Sequence, residues 1–220
     1  MRPLTSISGI SKKNNMSGKF IVIEGLEGAG KSSVIEVVKQ FIESRGHTCV
    51  CTREPGGTPM AEAIRECVKG DWQETVAEET ELMLMYAARR QLLVNVIHPA
   101  LERGEWVLGD RHDMSSLAYQ GGGRQIPEDK LMALRELCLQ GFGPDLTLYL
   151  DVEPETGLQR ARGRGELDRI ERSGLAFFER TREKYLSLTN ESPTAFLIDA
   201  MQPMENVHQD VLSTLEANLP

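Results

Sequence analysis

Gly25-Leu26-Glu27-Gly28-Ala29-Gly30-Lys31-Ser32 matches the pattern G-x-x-x-x-G-K-[ST] at every required position. Each residue type there has a physical reason. Gly25, Gly28 and Gly30 let the backbone turn sharply and approach an anion with no Cβ in the way. The loop N–H groups and the start of the following helix then bind phosphate oxygens. Lys31 adds a point charge near the β- and γ-phosphates, and the Ser32 hydroxyl is a ligand for Mg²⁺. Leu26, Glu27, Ala29 and Ser33 complete the expected nucleotide-binding run. An apolar strand precedes the loop and a helix opens at Lys31, which is the context this motif requires. The loop alone does not name the reaction, because GTPases, ATPases and kinases share it. No N-K-x-D sequence is present, which argues against a guanine site.

Three further segments carry residues suited to phosphate chemistry. Asp110-Arg111-His112 follows the strand candidate Trp106–Leu108. An acidic residue ending a strand beside such a loop can hold Mg²⁺, directly or through water. Arg111 can clamp a phosphate bidentately. A solvated surface turn is the plainer reading, and the phosphate loop tips the balance towards function. Arg53 ends the second strand and would face the same crevice. Pro55, Gly56 and Gly57 after it make a tight loop, which by itself is only a turn. Tyr119-Gln120-Gly121-Gly122-Gly123-Arg124 offers an aromatic face and a side-chain amide for a base, with glycines that permit close backbone approach. A plain loop after a short helix explains that spacing equally well.

The run from Arg160 to Arg172 holds Arg160, Arg162, Arg164, Arg169 and Arg172, with Gly163 and Gly165 between. Phosphoryl transfer develops charge on equatorial oxygens, and arginines closing over them stabilise it. Glu166, Asp168 and Glu171 are interleaved, as on a solvated helix face. The phosphate loop has no arginine of its own, so a small cationic lid over about 160–172 is the better reading.

Certain elements must position these residues. Phe20–Ile23, Thr48–Thr52, Trp106–Leu108, Leu146–Leu150 and Ala195–Ile198 are apolar on successive positions, as strands covered on both faces are. Helical patterns fall at Lys31–Ser44, Pro59–Val68, Ala77–Arg103, Pro127–Leu139, Leu175–Leu188 and Met204–Leu215. Pro99 should bend or trim the last turn of the long Ala77–Arg103 stretch. The alternation implies an α/β fold: a doubly wound, parallel, five-stranded sheet flanked by helices, of the P-loop NTPase type. Ligands in such folds bind at the carboxyl ends of the strands, where every motif above lies.

The chain has 220 residues, 40% hydrophobic and 26% charged, with formal net charge -8. That fits one domain, residues 19–220, and argues against broad nucleic-acid binding. The first residues, about 1–18, read as a disordered extension without the apolar core of a signal peptide, and no segment is long enough to span a bilayer. Cys49, Cys51, Cys67 and Cys138 do not make a zinc pattern and read as buried, reduced thiols.

Taken together, the segments resemble bacterial thymidylate kinases, in the same order from about Lys19 onward. The resemblance rests on the phosphate loop with Glu24 before it, Arg53-Glu54-Pro55-Gly56-Gly57-Thr58, Asp110-Arg111-His112, Tyr119 to Arg124 and Gly165-Glu166-Leu167-Asp168-Arg169. It implies a cytoplasmic homodimer that phosphorylates dTMP with ATP and Mg²⁺, on the way to dTTP, with no nucleic-acid or membrane partner. Lys31 and the loop amides would bind ATP, with Ser32 and Asp110 at the metal. Glu27 would face the deoxyribose 3′-hydroxyl. Arg53 and Arg111 would hold the dTMP phosphate. Arg89 would read the thymine edge with help from Gln120, and Tyr119 would lie near sugar and base. The resemblance is to the branch whose catalytic arginines sit in the lid, here Arg164 and Arg169. Met85 stands where that family often has an aromatic residue stacked on thymine; a thioether can also pack on a ring. The rival readings are a kinase for another small acceptor, and a regulatory module that binds ATP without turnover.

Overall fold

A computed structural model of the chain describes residues 18–163 and 167–219. Five parallel strands form one sheet in the order β2-β3-β1-β4-β5. They are β1 (Phe20–Gly25), β2 (Cys49–Arg53), β3 (Trp106–Asp110), β4 (Leu146–Asp151) and β5 (Ala195–Asp199). All six residues of β1 are buried, and β3 and β4 are buried almost throughout, whereas the edges β2 and β5 are half-exposed. Burial on both faces explains why the central strands carry unbroken apolar runs.

The helices cover both faces. They are α1 (Lys31–Ser44), α2 (Pro59–Lys69), α3 (Glu78–Leu92), α4 (His98–Glu102), α5 (Asp113–Ser116), α6 (Glu128–Leu139), α7 (Pro154–Arg162), α8 (Leu175–Glu191) and α9 (Met204–Asn218). In α1 the buried residues are Val34, Val38, Phe41 and Ile42, one stripe at helical spacing. It stops at Gly46, where φ is +83° and the N–H caps the Glu43 carbonyl at 3.0 Å. Two π-helical turns, Leu93–Ile97 and Leu117–Gly123, join α3 to α4 and extend α5. The first is how the chain absorbs Pro99: the wider turn rearranges the hydrogen bonding just before a residue with no N–H.

Two elements depart from the expectation. The helix α7 was not anticipated, although Pro154 at its first turn, followed by Glu155, is a start signal. Arg160 and Arg162 are therefore the last turn of a helix, not part of a loop. Arg164 lies outside the described residues, as do residues 1–17. The expected loop at Tyr119–Gly123 is the second π turn, packed on α8. A Cβ on Gly123 would sit 2.4 Å from Phe177 Cε2, and one on Gly122 would sit 2.6 Å from Lys184 Cβ. These glycines serve helix packing. The thiols also differ: only Cys138 is buried, while Cys51 and Cys67 are exposed. They lie on an edge strand and on the outer side of α2. Among the described residues, no helix is long and apolar enough to cross a membrane.

The phosphate loop is clamped from below by α7. Gly28 has φ +75°, and a Cβ there would stand 2.2 Å from the Gly157 carbonyl oxygen. Gly28→Ala should therefore lose about 2–4 kcal/mol, a Tm drop of roughly 5–15 °C, from left-handed strain plus overpacking. Gly46→Ala shares the positive φ but meets nothing within 4 Å, so its cost should be only about 1 kcal/mol. Calorimetry on both variants checks this, and equal losses would sink the steric account.

Candidate active site

The strand ends converge. The register sets Ile23, Arg53 and Asp110 side by side on β1, β2 and β3. The phosphate loop leaves β1 beside them. A cavity of about 190 Å³ opens here, lined among others by Glu27, Arg53, Met85, Arg89, Arg111 and Gln120. Tyr119 and Asp110 also line it. The residues that sequence reading assigned to an acceptor thus share one cavity at the phosphate loop.

Arg111 is the centre of a hydrogen-bond network on one side of the cavity. The residue has φ +69°, a left-handed conformation that costs a non-glycine residue energy and is common at functional sites. Its Nη2 donates to Glu27 Oε1 at 2.6 Å and to the Tyr119 hydroxyl at 3.1 Å. Its Nη1 donates to Ser115 Oγ and to the Tyr185 hydroxyl. Tyr119 in turn donates to Glu27 Oε2 at 2.7 Å. Burial works to raise the Glu27 pKa, but Arg111 first and then Lys31 outweigh it and hold the carboxyl below its usual range. Glu27 is accordingly an anionic acceptor flanked by two cations.

Lys31 folds over the loop, with Nζ 3.0 Å from the Gly25 carbonyl and 2.9 Å from that of Leu26. Burial, with Arg111 adding to it, pushes its pKa down to about 8. The Ser32 side chain is exposed at the helix start, and Ser33 Oγ lies 2.8 Å from His208 Nε2. Asp110 Oδ1 is buried without a hydrogen-bond partner. A buried carboxylate oxygen left unpaired is costly, and it and the Ser32 hydroxyl are hard oxygen donors of the kind Mg²⁺ prefers. The residues present fit that ion.

On the base side, Arg89 is buried at the floor. Its Nε donates to Glu54 at 2.6 Å, and its Nη2 to the His112 carbonyl and Ser116 Oγ, both at 3.0 Å. Nη1 has no hydrogen bond; it lies 3.6 Å from Asp113 Oδ1. Glu54 also accepts from or pairs with His112 Nδ1 at 2.7 Å. Arg53, exposed, forms a fork on the half-buried Glu62, at 3.2 and 2.9 Å.

The lid arginines fall in different places. Arg169 donates to the Val68 carbonyl on α2 and to Glu81 Oε2 on α3, the latter at 2.7 Å. Asp168 pairs with Lys69 at 2.8 Å, and Arg172 pairs with Asp71. These contacts fasten the segment after α7 to the end of α2. Among the described arginines of the run 160–172, Arg160 touches the phosphate loop, with Nη1 3.4 Å from the Gly28 carbonyl and 3.2 Å from that of Ala200.

Sequence reading missed the buried acids. Glu24 is fully buried and accepts from the His112 N–H at 2.8 Å, Ser115 Oγ at 2.6 Å and the Tyr185 hydroxyl at 2.8 Å. Burial raises its pKa despite those bonds. Glu54 and Glu81 are buried likewise. A signal existed for Glu24: a charged residue inside a strand covered on both faces needs partners.

A family model described as thymidylate kinase matches residues 23–211. A thymidylate kinase of Alteromonas mediterranea is 65% identical over 91% of this chain and 90% of its own length. One from Idiomarina loihiensis is 56% identical over 93% of this chain and all of its own. A third, from Pseudoalteromonas translucida, is 55% identical over 91% and 96%. A phosphate loop facing a cavity with its own arginine clamp, and relatives of this closeness along nearly the whole length, establish that the chain belongs to the thymidylate kinase family.

Proposed function

We infer that the protein transfers the γ-phosphoryl group of ATP, with Mg²⁺, to the 5′-phosphate of dTMP, giving dTDP and ADP. The observation that carries this is one cavity lined by Glu27 of the phosphate loop, by Arg111 paired with it, and by Arg89, Gln120 and Met85. A donor phosphate held by the loop and Lys31 would face an acceptor phosphate held by Arg111, with Arg53 at the rim. Transfer is then direct and in line, and needs no covalent enzyme intermediate. Arg111 and Lys31 hold like-charged oxygens together, which water alone would keep apart. Mg²⁺, when bound by Ser32 and Asp110, neutralises charge on the transferring phosphates. Glu27 accepts from the sugar hydroxyl, and Tyr119, bound to Glu27, limits space beside the ribose 2′ position. Lid arginines, Arg164 and Arg169 by resemblance and Arg160 by its place at the loop, supply further positive charge.

The working form in this reading is a cytoplasmic homodimer. Met60, Met83 and Val94 expose apolar side chains on α2, α3 and the turn that follows, a surface that a second copy would cover.

An ADP-release assay with ATP and Mg²⁺ tests the function, offering dTMP, dUMP, dCMP, dAMP, dGMP and thymidine separately. The expected result is dTMP as best acceptor, with dUMP behind by roughly 10- to 200-fold, the worth of one methyl group. Another monophosphate winning would overturn the base assignments, and ATP binding without turnover on any acceptor would favour the regulatory module.

A further inference from the structure

Glu81 is a buried carboxylate on α3 with no place in the chemistry above. Its side chain is 1% exposed. It accepts from three side chains on two other segments: Gln120 Nε2 to Oε1 at 2.9 Å, Arg124 to both oxygens at 3.2 Å, and Arg169 to Oε2 at 2.7 Å. Burial opposes its ionisation, but the bonds from Arg124, Gln120 and Arg169 hold it below the usual carboxylate range. An ionised carboxylate can only accept. The Gln120 amide must therefore turn its NH₂ group to Glu81, and chemistry settles an orientation that atomic positions alone leave open.

That orientation has a consequence in the cavity. Gln120 lines it, and no donor among the described residues reaches its Oε1. With the nitrogen committed to Glu81, the amide presents an oxygen, an acceptor. Arg89 presents a donor, since arginine has nothing else to offer. A donor beside an acceptor complements the edge of thymine, where O4 accepts and N3–H donates. Cytosine reverses both groups, with N4–H₂ donating and N3 accepting. A glutamine free to flip would satisfy N3 of either base and leave discrimination to Arg89 alone.

We propose that Glu81 is a specificity-determining positioning residue: by holding the Gln120 amide nitrogen it fixes an acceptor towards the base and rejects cytosine. This rests on the dTMP reading above. It also ties the base side to the segment after α7, because Arg169 shares the same carboxylate.

The test is kcat/KM for dTMP and for dCMP in the unaltered protein, Glu81→Gln and Arg124→Ala. In Glu81→Gln the amide at 81 can donate or accept, so Gln120 is released. The dTMP to dCMP ratio should contract by about tenfold, through KM more than kcat, the worth of one hydrogen bond to a base edge. Arg124→Ala removes a partner of Glu81 but leaves the Gln120 bond, so it should lower Tm and leave the ratio unchanged. If Glu81→Gln slows both acceptors by one common factor, Glu81 is merely structural and the proposal fails. A second measurement uses only the unaltered protein and N3-methyl-dTMP, which lacks the N3–H. It should be at least about 100-fold poorer than dTMP. Equal turnover would overturn the proposal even if Glu81→Gln does not fold. If the unaltered protein does not prefer dTMP to dCMP, the dTMP reading itself has failed, which is a separate outcome.

Discussion

Arg111→Ala should lower kcat/KM for dTMP by about 10³-fold, because one guanidinium serves three tasks at once. In the proposed reaction it is the cation that would face the acceptor phosphate. It positions Glu27 through the 2.6 Å pair, and it bonds the Tyr119, Ser115 and Tyr185 hydroxyls. Arg111→Lys keeps a charge but loses the planar fork, so it should recover only part of the loss, about tenfold. Acid stability supplies an independent readout. Burial alone would raise the Glu27 pKa, and Arg111 leads the terms that hold it down. A carboxyl whose folded pKa is depressed contributes stability above its unfolded pKa of 4.5, lost as pH falls through the lower folded value. Without Arg111 less opposes burial, so this contribution shrinks and the acid-unfolding midpoint should move to higher pH. Steady-state kinetics and acid titration followed by circular dichroism check both. A kinetic loss below tenfold would remove Arg111 from the centre of the site.

Arg111 also shows what was legible in the sequence. The phosphate loop could be read because its chemistry is local: each glycine, the lysine and the serine act within eight residues of one another. Asp110 and Arg111 could be read because they end a strand, and strand ends gather in such a sheet. The parallel five-stranded sheet followed from unbroken apolar strands alternating with helices. The supports were not readable. Glu24 meets Tyr185 across 161 positions, and Glu54 meets His112 across 58. A buried acid is recognised by its partners, and no spacing rule names partners so far apart. Gly122 and Gly123 misled for the same reason. A glycine run marks close approach, but not whether a ligand or, as here, α8 makes it. The helix α7 was not foreseen because it is short and carries few buried apolar residues, so its helical pattern is faint. Arg169 then comes to rest on Val68 and Glu81, while Arg160, on the helix's last turn, reaches the loop.

Lys31→Ala should lower kcat by about 10³-fold while changing the KM for dTMP far less, since in the proposed reaction the lysine would face the donor phosphates. Its environment predicts a second effect that a simple point charge would not give. Burial, then Arg111, lowers its pKa to about 8 against the pull of Glu27, Asp110 and Glu24. In the free enzyme the ammonium therefore loses its proton as pH rises past about 8. The value of kcat/KM for ATP should fall through that region. At saturating ATP, kcat should hold to higher pH, because phosphate beside the amine restores its proton. Stability runs the other way. From pH 8 to 10.5 the unfolded chain binds the proton that the folded chain has released, so the Lys31 contribution to stability rises with pH across that window. Lys31→Ala should flatten this rise. Opposite slopes for ATP use and for stability are the signature of a charge held at a cost to the fold until a phosphate arrives. Lys31→Arg, charged throughout, should show a flat kcat/KM profile over the same range. A flat profile in the unaltered protein up to pH 10.5 would mean that the lysine is not strained, and the helix start and loop amides would then carry the phosphate binding without it.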